Sequence, residues 1–237
     1  MNILKKIIES LGYKLIDKNL VKNQRLISQN SSFNMRYILK LIFNQNDINN
    51  LIQIGANDGV RFDEISEYIK DENLKSILIE PIPRYFEQLK KNYKNYKNIY
   101  FEQTVISKNN EVKTLFCVKK EFLELYDGHI NGINSYDINH LLKHKVKKIH
   151  IEEVNVESMT FDQLINKYKI RKLDFLYIDA EGYDGQIVLD FLKNSNLDPV
   201  IIFEYIHIKE NILKKVIENL KDNKFKLFSI NENLICY

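Results

Sequence analysis

The stretch Leu51-Ile52-Gln53-Ile54-Gly55-Ala56-Asn57-Asp58-Gly59 constrains this chain most: a short apolar run that breaks at glycine and passes into a helical pattern. The run reads as a buried strand, and Phe62, Ile65, Tyr68 and Ile69 share one face of a helix that follows. Glycines at both ends of the turn let the backbone bend and approach a ligand, and the helix N-terminus aims free N–H groups at the loop. The next apolar run, Ser76-Ile77-Leu78-Ile79, ends in Glu80-Pro81, with Pro83 opening another helix over Phe86, Leu89 and Tyr93. A carboxylate at a second strand end, about 20 residues beyond a glycine turn, is placed to grip the hydroxyls of a ribose.

At 237 residues the chain fills one domain and is short for two enzyme domains. Hydrophobic residues at 44% and charged residues at 28% describe a globular chain. A formal charge of +3, with lysines scattered as on solvated helix faces, leaves no footprint for nucleic acid. Cys117 and Cys236 sit in apolar runs without a partner at metal-ligand spacing, and read as buried thiols of a reducing, cytoplasmic compartment. The first twelve residues lack the continuous apolar core of a signal peptide, and no later run is long enough to span a membrane.

Residues 1–45 read as an N-terminal helical cap. Ile3, Leu4, Ile7, Ile8 and Leu11 form one stripe and Tyr37, Ile38, Leu41 and Ile42 another, faces suited to packing or to a homodimer. From residue 46 onward strands and helices alternate, which implies parallel strands with right-handed crossovers. Ile99-Tyr100-Phe101 continues as the strand-like Gln103-Thr104-Val105-Ile106, and Val112 to Val118 forms a further strand. About residues 119–150 follow as an irregular polar insertion. With His150 at its end, it holds four of the chain's five histidines and reads as a substrate loop. Thr160-Phe161-Asp162-Gln163 is a capping box that opens a helix. Asp174 to Asp179 is a central strand ending in a dense polar cluster, and Val200 to Phe203 is tipped by Glu204 and followed by His207. Phe225 to Ile230 and Leu234 to Tyr237 close the chain as a hairpin.

In an open parallel sheet, ligands bind beyond the carboxyl ends of the strands. Here those ends carry the glycine turn, Glu80, Asp179 with Glu181, and Glu204 with His207. Carboxylates gathered at one edge repel one another unless a cation, a hydroxyl-rich ligand or a raised pKa compensates. Asp179 and Glu204, on adjacent strands, are candidates to share a hard divalent cation such as Mg2+. Two other uses of such a sheet stay open at this point: an NAD(P)-dependent oxidoreductase and a non-catalytic binding module. The oxidoreductase fits less well, because the turn lacks the third glycine of G-x-G-x-x-G and carries Arg61 shortly after Gly59.

The series I-G-A-N-D-G at 54–59, I-E-P at 79–81, D-F-L-Y-I-D-A-E-G-Y-D at 174–184 and I-I-F-E-Y-x-H at 201–207 resembles the FkbM-type methyltransferases. These form a branch of the class I S-adenosylmethionine-dependent fold, and the resemblance runs from about Leu51 to His207. D-A-E-G-Y-D is its most specific part, and residues 132–144 are similar to a segment of one subgroup. The resemblance implies an α/β, Rossmann-like class I methyltransferase domain over 46–237. Its seven-stranded sheet would be mostly parallel, with a C-terminal antiparallel hairpin and helices on both faces. It further implies that Gln53, Gly55, Ala56, Asn57, Asp58, Gly59 and Asp63 surround the amino-acid portion of S-adenosyl-L-methionine. Glu80, beside Pro81, would hold the ribose, Thr104 and Val105 would border the adenine, and Asp179 would face the reaction centre. Gln53 departs from the acidic residue common at its position, so Asp58 or Asp63 is expected to take over that contact. Asp179, Glu181 and His207 are expected to activate or orient the acceptor, and His129, Asn131, Ser135, His140, Tyr183 and Glu204 to hold it. The expected reaction is O-methylation of a nucleotide-activated or polysaccharide-linked sugar in surface glycan biosynthesis.

Overall fold

A computed structural model describes residues 34–61, 63–71 and 74–237. The chain divides into two units between Ile42 and Phe43. Helix α1, Met35–Gln45, carries the Tyr37, Ile38, Leu41 and Ile42 stripe. The stripe from Ile3 to Leu11 lies outside the described residues, as does Phe62. Among the described residues no helix is long and apolar enough to cross a membrane.

The second unit begins with β1 (Asn50–Ile54), α2 (Ser66–Ile69), β2 (Lys75–Ile79), α3 (Pro83–Asn92) and β3 (Ile99–Glu102). After β4 (Val105–Ile106) and β5 (Val112–Val118) come α4 (Gly128–Gly132), β6 (Asn134–Ser135) and α5 (Ile138–Lys143). Then follow β7 (Ile151–Met159), α6 (Phe161–Tyr168), β8 (Phe175–Ile178), α7 (Asp184–Asn194), β9 (Val200–Glu204), α8 (Glu210–Asp222), β10 (Leu227–Ile230) and β11 (Asn233–Cys236). The main sheet has seven strands in the order β10-β11-β9-β8-β1-β2-β3. β11 is antiparallel to both its neighbours, whereas β9, β8, β1, β2 and β3 run parallel, as expected.

Burial follows strand position. Leu51 to Ile54, Ser76 to Ile79 and Phe175 to Ile178 are buried throughout, which requires a layer of helices on each side. On the edge strand β3, Ile99 and Phe101 are half-buried, Tyr100 is exposed and only Glu102 is buried. At the amino end of the sheet, Asp174 stitches two strands together: its Oδ2 accepts the N–H groups of Asn49 (3.0 Å) and Asn50 (2.9 Å).

Three expectations change. The helix after the glycine turn is delayed to Ser66, because Asp58 accepts the N–H groups of Val60 and Arg61 and Asp63 accepts that of Ile65. These side-chain acceptors build turns in place of a helical ladder. The run from Ile99 to Ile106 is two strands, since the Thr104 hydroxyl donates to the Glu157 carbonyl (2.9 Å) and Val105 pairs with Ser158. That pairing starts a second sheet, β4-β7-β5-β6, whose long strand β7 was not anticipated. The insertion is ordered rather than irregular: Val118, Ile133, Leu141, Val146 and Ile151 form a core of their own, and His150 is buried there, stacked on Phe122. The capping box at Thr160 and Gln163 is present as read.

The glycine turn is fixed by contact between strand ends. Gly55 has φ +83°, and a Cβ there would lie 1.8 Å from the backbone oxygen of Asp179. Its N–H and that of Ala56 both donate to Ile79 (2.9 and 3.0 Å), while the Asp179 N–H donates to Ile54 (2.9 Å). Gly55→Ala therefore adds a backbone clash to a left-handed conformation, and an expected loss of about 2–5 kcal/mol follows. Urea unfolding checks this; a wild-type midpoint would show that the ends of β1 and β8 part freely.

Candidate functional site

Beyond the carboxyl ends of β1, β2, β8 and β9 lies a cavity of about 430 Å³, a size suited to a small ligand. Gln53, Gly55, Ala56 and Asn57 line it from the β1 turn, and Glu80 and Pro81 from the end of β2. Thr104 and Val105 wall one side. Asp179, Glu181 and Tyr183 enter after β8, and Glu204 and His207 at and after the end of β9. Asp63 also reaches the lining, as does the apolar pair Ile106 and Leu115.

Other expected residues stand behind this wall. Asp58 uses Oδ1 for the Val60 and Arg61 N–H groups and Oδ2 for the Arg61 guanidinium (2.7 Å), so it builds the loop instead of facing the cavity. Gly59 is a packing glycine, where a Cβ would meet the Tyr93 ring at 2.3 Å. Ser135 donates to the Glu181 carbonyl (3.4 Å), and His140 places Nε2 3.1 Å from Glu181 Oε2. The side chains of His129 and Asn131 lie outside the described residues. Not anticipated individually were Ile133, Asn134, Tyr136 and His144, which line the cavity from the insertion. All four belong to the 132–144 segment whose family likeness was the available signal.

Carboxyl groups dominate the electrostatics. Glu80 is fully enclosed; its Oε2 accepts the Asn57 N–H (2.9 Å) and its Oε1 that of Ile82 (2.8 Å). Burial outweighs those bonds and raises its pKa to about 7. Asp179 is held well above the carboxylate range by burial, and then by the charges of Glu181, Asp184 and Glu204. Glu204 is raised to about 8 by burial and by Glu181 and Asp184. Asp184, raised to about 7 by burial, accepts the N–H groups of Ala180 (3.1 Å) and Gly182 (3.0 Å) and so shapes the turn that carries Glu181 at φ +49°. Burial, followed by the neighbouring His140, lowers the pKa of His207. The buried thiols Cys117 and Cys236 are pushed up to about 11 and about 12, far from reactive. Such a site favours a ligand that brings positive charge.

The Methyltransferase FkbM domain is matched by residues 53–227. The chain belongs to the FkbM methyltransferase family. Its fold is similar to that of an FkbM methyltransferase from Methylobacillus flagellatus KT, with 11% identity and a TM-score of 0.48 over 81% of this chain. This chain spans 44% of that protein's length. It is also similar to the precorrin-6y C5,15-methyltransferase of Geobacter metallireducens GS-15, with 11% identity, 85% and 84% of the two chains covered and a TM-score of 0.41. A third likeness is to the fibrillarin of Aeropyrum pernix, solved with natively bound S-adenosyl-L-methionine, with 10% identity, 80% and 66% covered and a TM-score of 0.42. No curated protein matches the sequence.

The residues present fit S-adenosylmethionine, the family's methyl donor. Gln53 Oε1 and Asp63 Oδ2 are buried acceptors without a partner, and both residues line the cavity. An ammonium group would satisfy them. Burial also raises the pKa of Asp63, the cost of an acceptor enclosed before its cation arrives.

Each Glu80 oxygen keeps a second lone pair for a ribose hydroxyl. Hydroxyl donors favour the carboxylate, and a proton competes with them. Affinity for S-adenosylhomocysteine is therefore expected to fall as pH drops through about 7, the pKa of the enclosed group. Glu80→Gln turns an amide NH2 against one backbone N–H, weakens binding about tenfold, worth ~1.4 kcal/mol, and flattens the pH dependence. Calorimetric titration at pH 6 and pH 8 decides; equal affinity in both proteins would remove Glu80 from the cofactor site.

Proposed function

We propose that this FkbM methyltransferase methylates a hydroxyl of a sugar, carried on a nucleotide or on a polysaccharide, in surface glycan biosynthesis in the cytoplasm. One observation supports the reading above others: Glu181, Glu204, His207 and His144 line the same cavity as Glu80. Carboxylates and imidazoles accept hydrogen bonds from a hydroxyl-rich acceptor.

Gln53 and Asp63 hold the ammonium end of the cofactor, Glu80 with Pro81 the ribose, and Thr104 and Val105 border the base. When bound, the cofactor supplies its methyl group as an electrophile on a sulfonium. Asp179 stands at the end of β8, between the β1 turn and Glu204 on the adjacent strand. As a carboxylate, the form that the cofactor's positive charge would favour against burial, it would receive the proton that leaves the acceptor hydroxyl as the methyl group passes from sulfur to oxygen. Glu181 and His207 orient that hydroxyl for in-line displacement, where alignment contributes much of the acceleration. Tyr183, packed 4.5 Å from Tyr136 between ring centres, forms a face on which a sugar ring rests.

Asp179→Asn is expected to lower kcat by about 10²–10⁴ while leaving S-adenosylhomocysteine affinity within a few-fold. Assay of methyl transfer to nucleotide sugars and surface oligosaccharides, beside catechol and a primary amine, tests the acceptor class. Transfer to catechol or amine alone would overturn the reading.

A further inference from the structure

We propose that His140, His144 and His207, with Glu181 and Glu204 beside them, form a binding site for one divalent ion of the imidazole-preferring transition-metal class. The three histidines come from distant parts of the chain. His140 lies on α5, His144 caps the C-terminus of that helix, and His207 follows β9. Their ligand atoms all lie within 4.8 Å of one another, as do those of Glu181, Glu204 and His207. The His140 and His207 rings meet edge to face at 4.6 Å, and those of His140 and His144 lie 5.0 Å apart. His140 contacts Glu181 at 3.1 Å, and His207 stands 3.8 Å from Glu204.

The scaffold around these groups is firm. The His140 side chain is only 11% exposed. Its helix is capped by Asp137 accepting the Asn139 N–H and anchored by fully buried Leu141. On the other side, a Cβ at Gly182 would come within 3.3 Å of His207, so the Glu181 turn packs directly on that histidine. Nitrogen ligands sit about 2.0–2.1 Å from zinc, so tetrahedral donors stand about 3.4 Å apart. Donor atoms at the 4.8 Å limit would have to close by about 1.4 Å.

The donor set selects the ion. Three imidazoles suit Zn2+, Co2+, Ni2+ or Fe2+, whereas Mg2+ and Ca2+ prefer all-oxygen shells. Asp179, expected with Glu204 to hold a hard cation, belongs to neither ligand group. Because His144, His207, Glu181 and Glu204 also line the cavity, a coordination position left open faces the acceptor. With the ion in place His207 serves as a ligand, and the proton-accepting role stays with Asp179. The metal site is defined by binding alone and stands whether or not the acceptor is a sugar.

The test uses the full chain without a histidine tag, stripped by chelator and titrated with Co2+ by visible absorption and with Zn2+ by calorimetry. One equivalent is expected to bind at micromolar concentration or tighter, with d–d bands that millimolar Mg2+ leaves unchanged. His140→Ala and His144→Ala are each expected to weaken binding at least about tenfold while S-adenosylhomocysteine still binds, which shows the variants folded. Absence of Co2+ and Zn2+ binding, unchanged affinity in both variants, or displacement by Mg2+ would overturn the site. Loss of S-adenosylhomocysteine binding by the unaltered protein would instead count against the cofactor reading and leave the metal result to stand by itself.

Discussion

The contact between Gly55 and the Asp179 backbone is the constraint on which the site depends. A side chain at residue 55 would occupy the Asp179 carbonyl, so the ends of β1 and β8 approach only because that position is glycine. The same turn donates two N–H groups to the end of β2. Three strand ends are thereby locked in register, and every polar group carried just beyond them is aimed at one volume. The Glu80 carboxylate extends the lock by accepting the Asn57 and Ile82 N–H groups, holding the first turn against the second. The ribose contact proposed for it is compatible with that, since a carboxylate that organises a loop through one lone pair on each oxygen still offers the other.

Rigid convergence has an electrostatic consequence. Asp63, Glu80, Asp179, Asp184 and Glu204 all have pKa values raised by burial, and several raise each other. A fold gains nothing in stability from such crowding. It is the pattern expected where ligands bring positive charge: a sulfonium and an ammonium at one end, and the metal ion proposed for the histidine cluster at the other. Asp184 differs from the rest because its oxygens accept the Ala180 and Gly182 N–H groups. It lends its charge to the cluster while serving as the internal cap of the turn that displays Glu181.

The parallel core was readable because its signals are local. Apolar runs ending in Gly55, Glu80, Asp179 and Glu204 each state a strand and its polar end, and the hairpin about Asn231 and Glu232 states its own turn. What escaped the sequence depended on long-range pairing. β7 alternates exposed and covered residues against β5 and cannot be told from a solvated segment until its partner is known. Thr104 looked like strand interior, yet its hydroxyl bond to Glu157, more than fifty residues away, moves the chain to another sheet. In the site, Asp58 and Asp63 looked equivalent as substitutes for the acid missing at Gln53. Arg61 engages the first, and the second keeps a buried oxygen without a partner.

The insertion has a small core of its own within the second unit. Its core of Val118, Ile133, Leu141, Val146 and Ile151 rests on the second sheet, not on the seven-stranded one. Arg84 on α3 ties the two parts together through Glu152 (2.7 Å) and the Val118 carbonyl (2.7 Å). The two parts are joined further by Asn57 to the Gly132 carbonyl, by Ser135 and His140 to Glu181, and by the Tyr136–Tyr183 ring pair. Tyr136, His140 and His144 belong to the 132–144 segment, and Glu181 and His207 to the chain that follows β8 and β9, so the cluster is assembled from both. On the function proposed above, an acceptor would therefore meet groups from the insertion and from the sheet together.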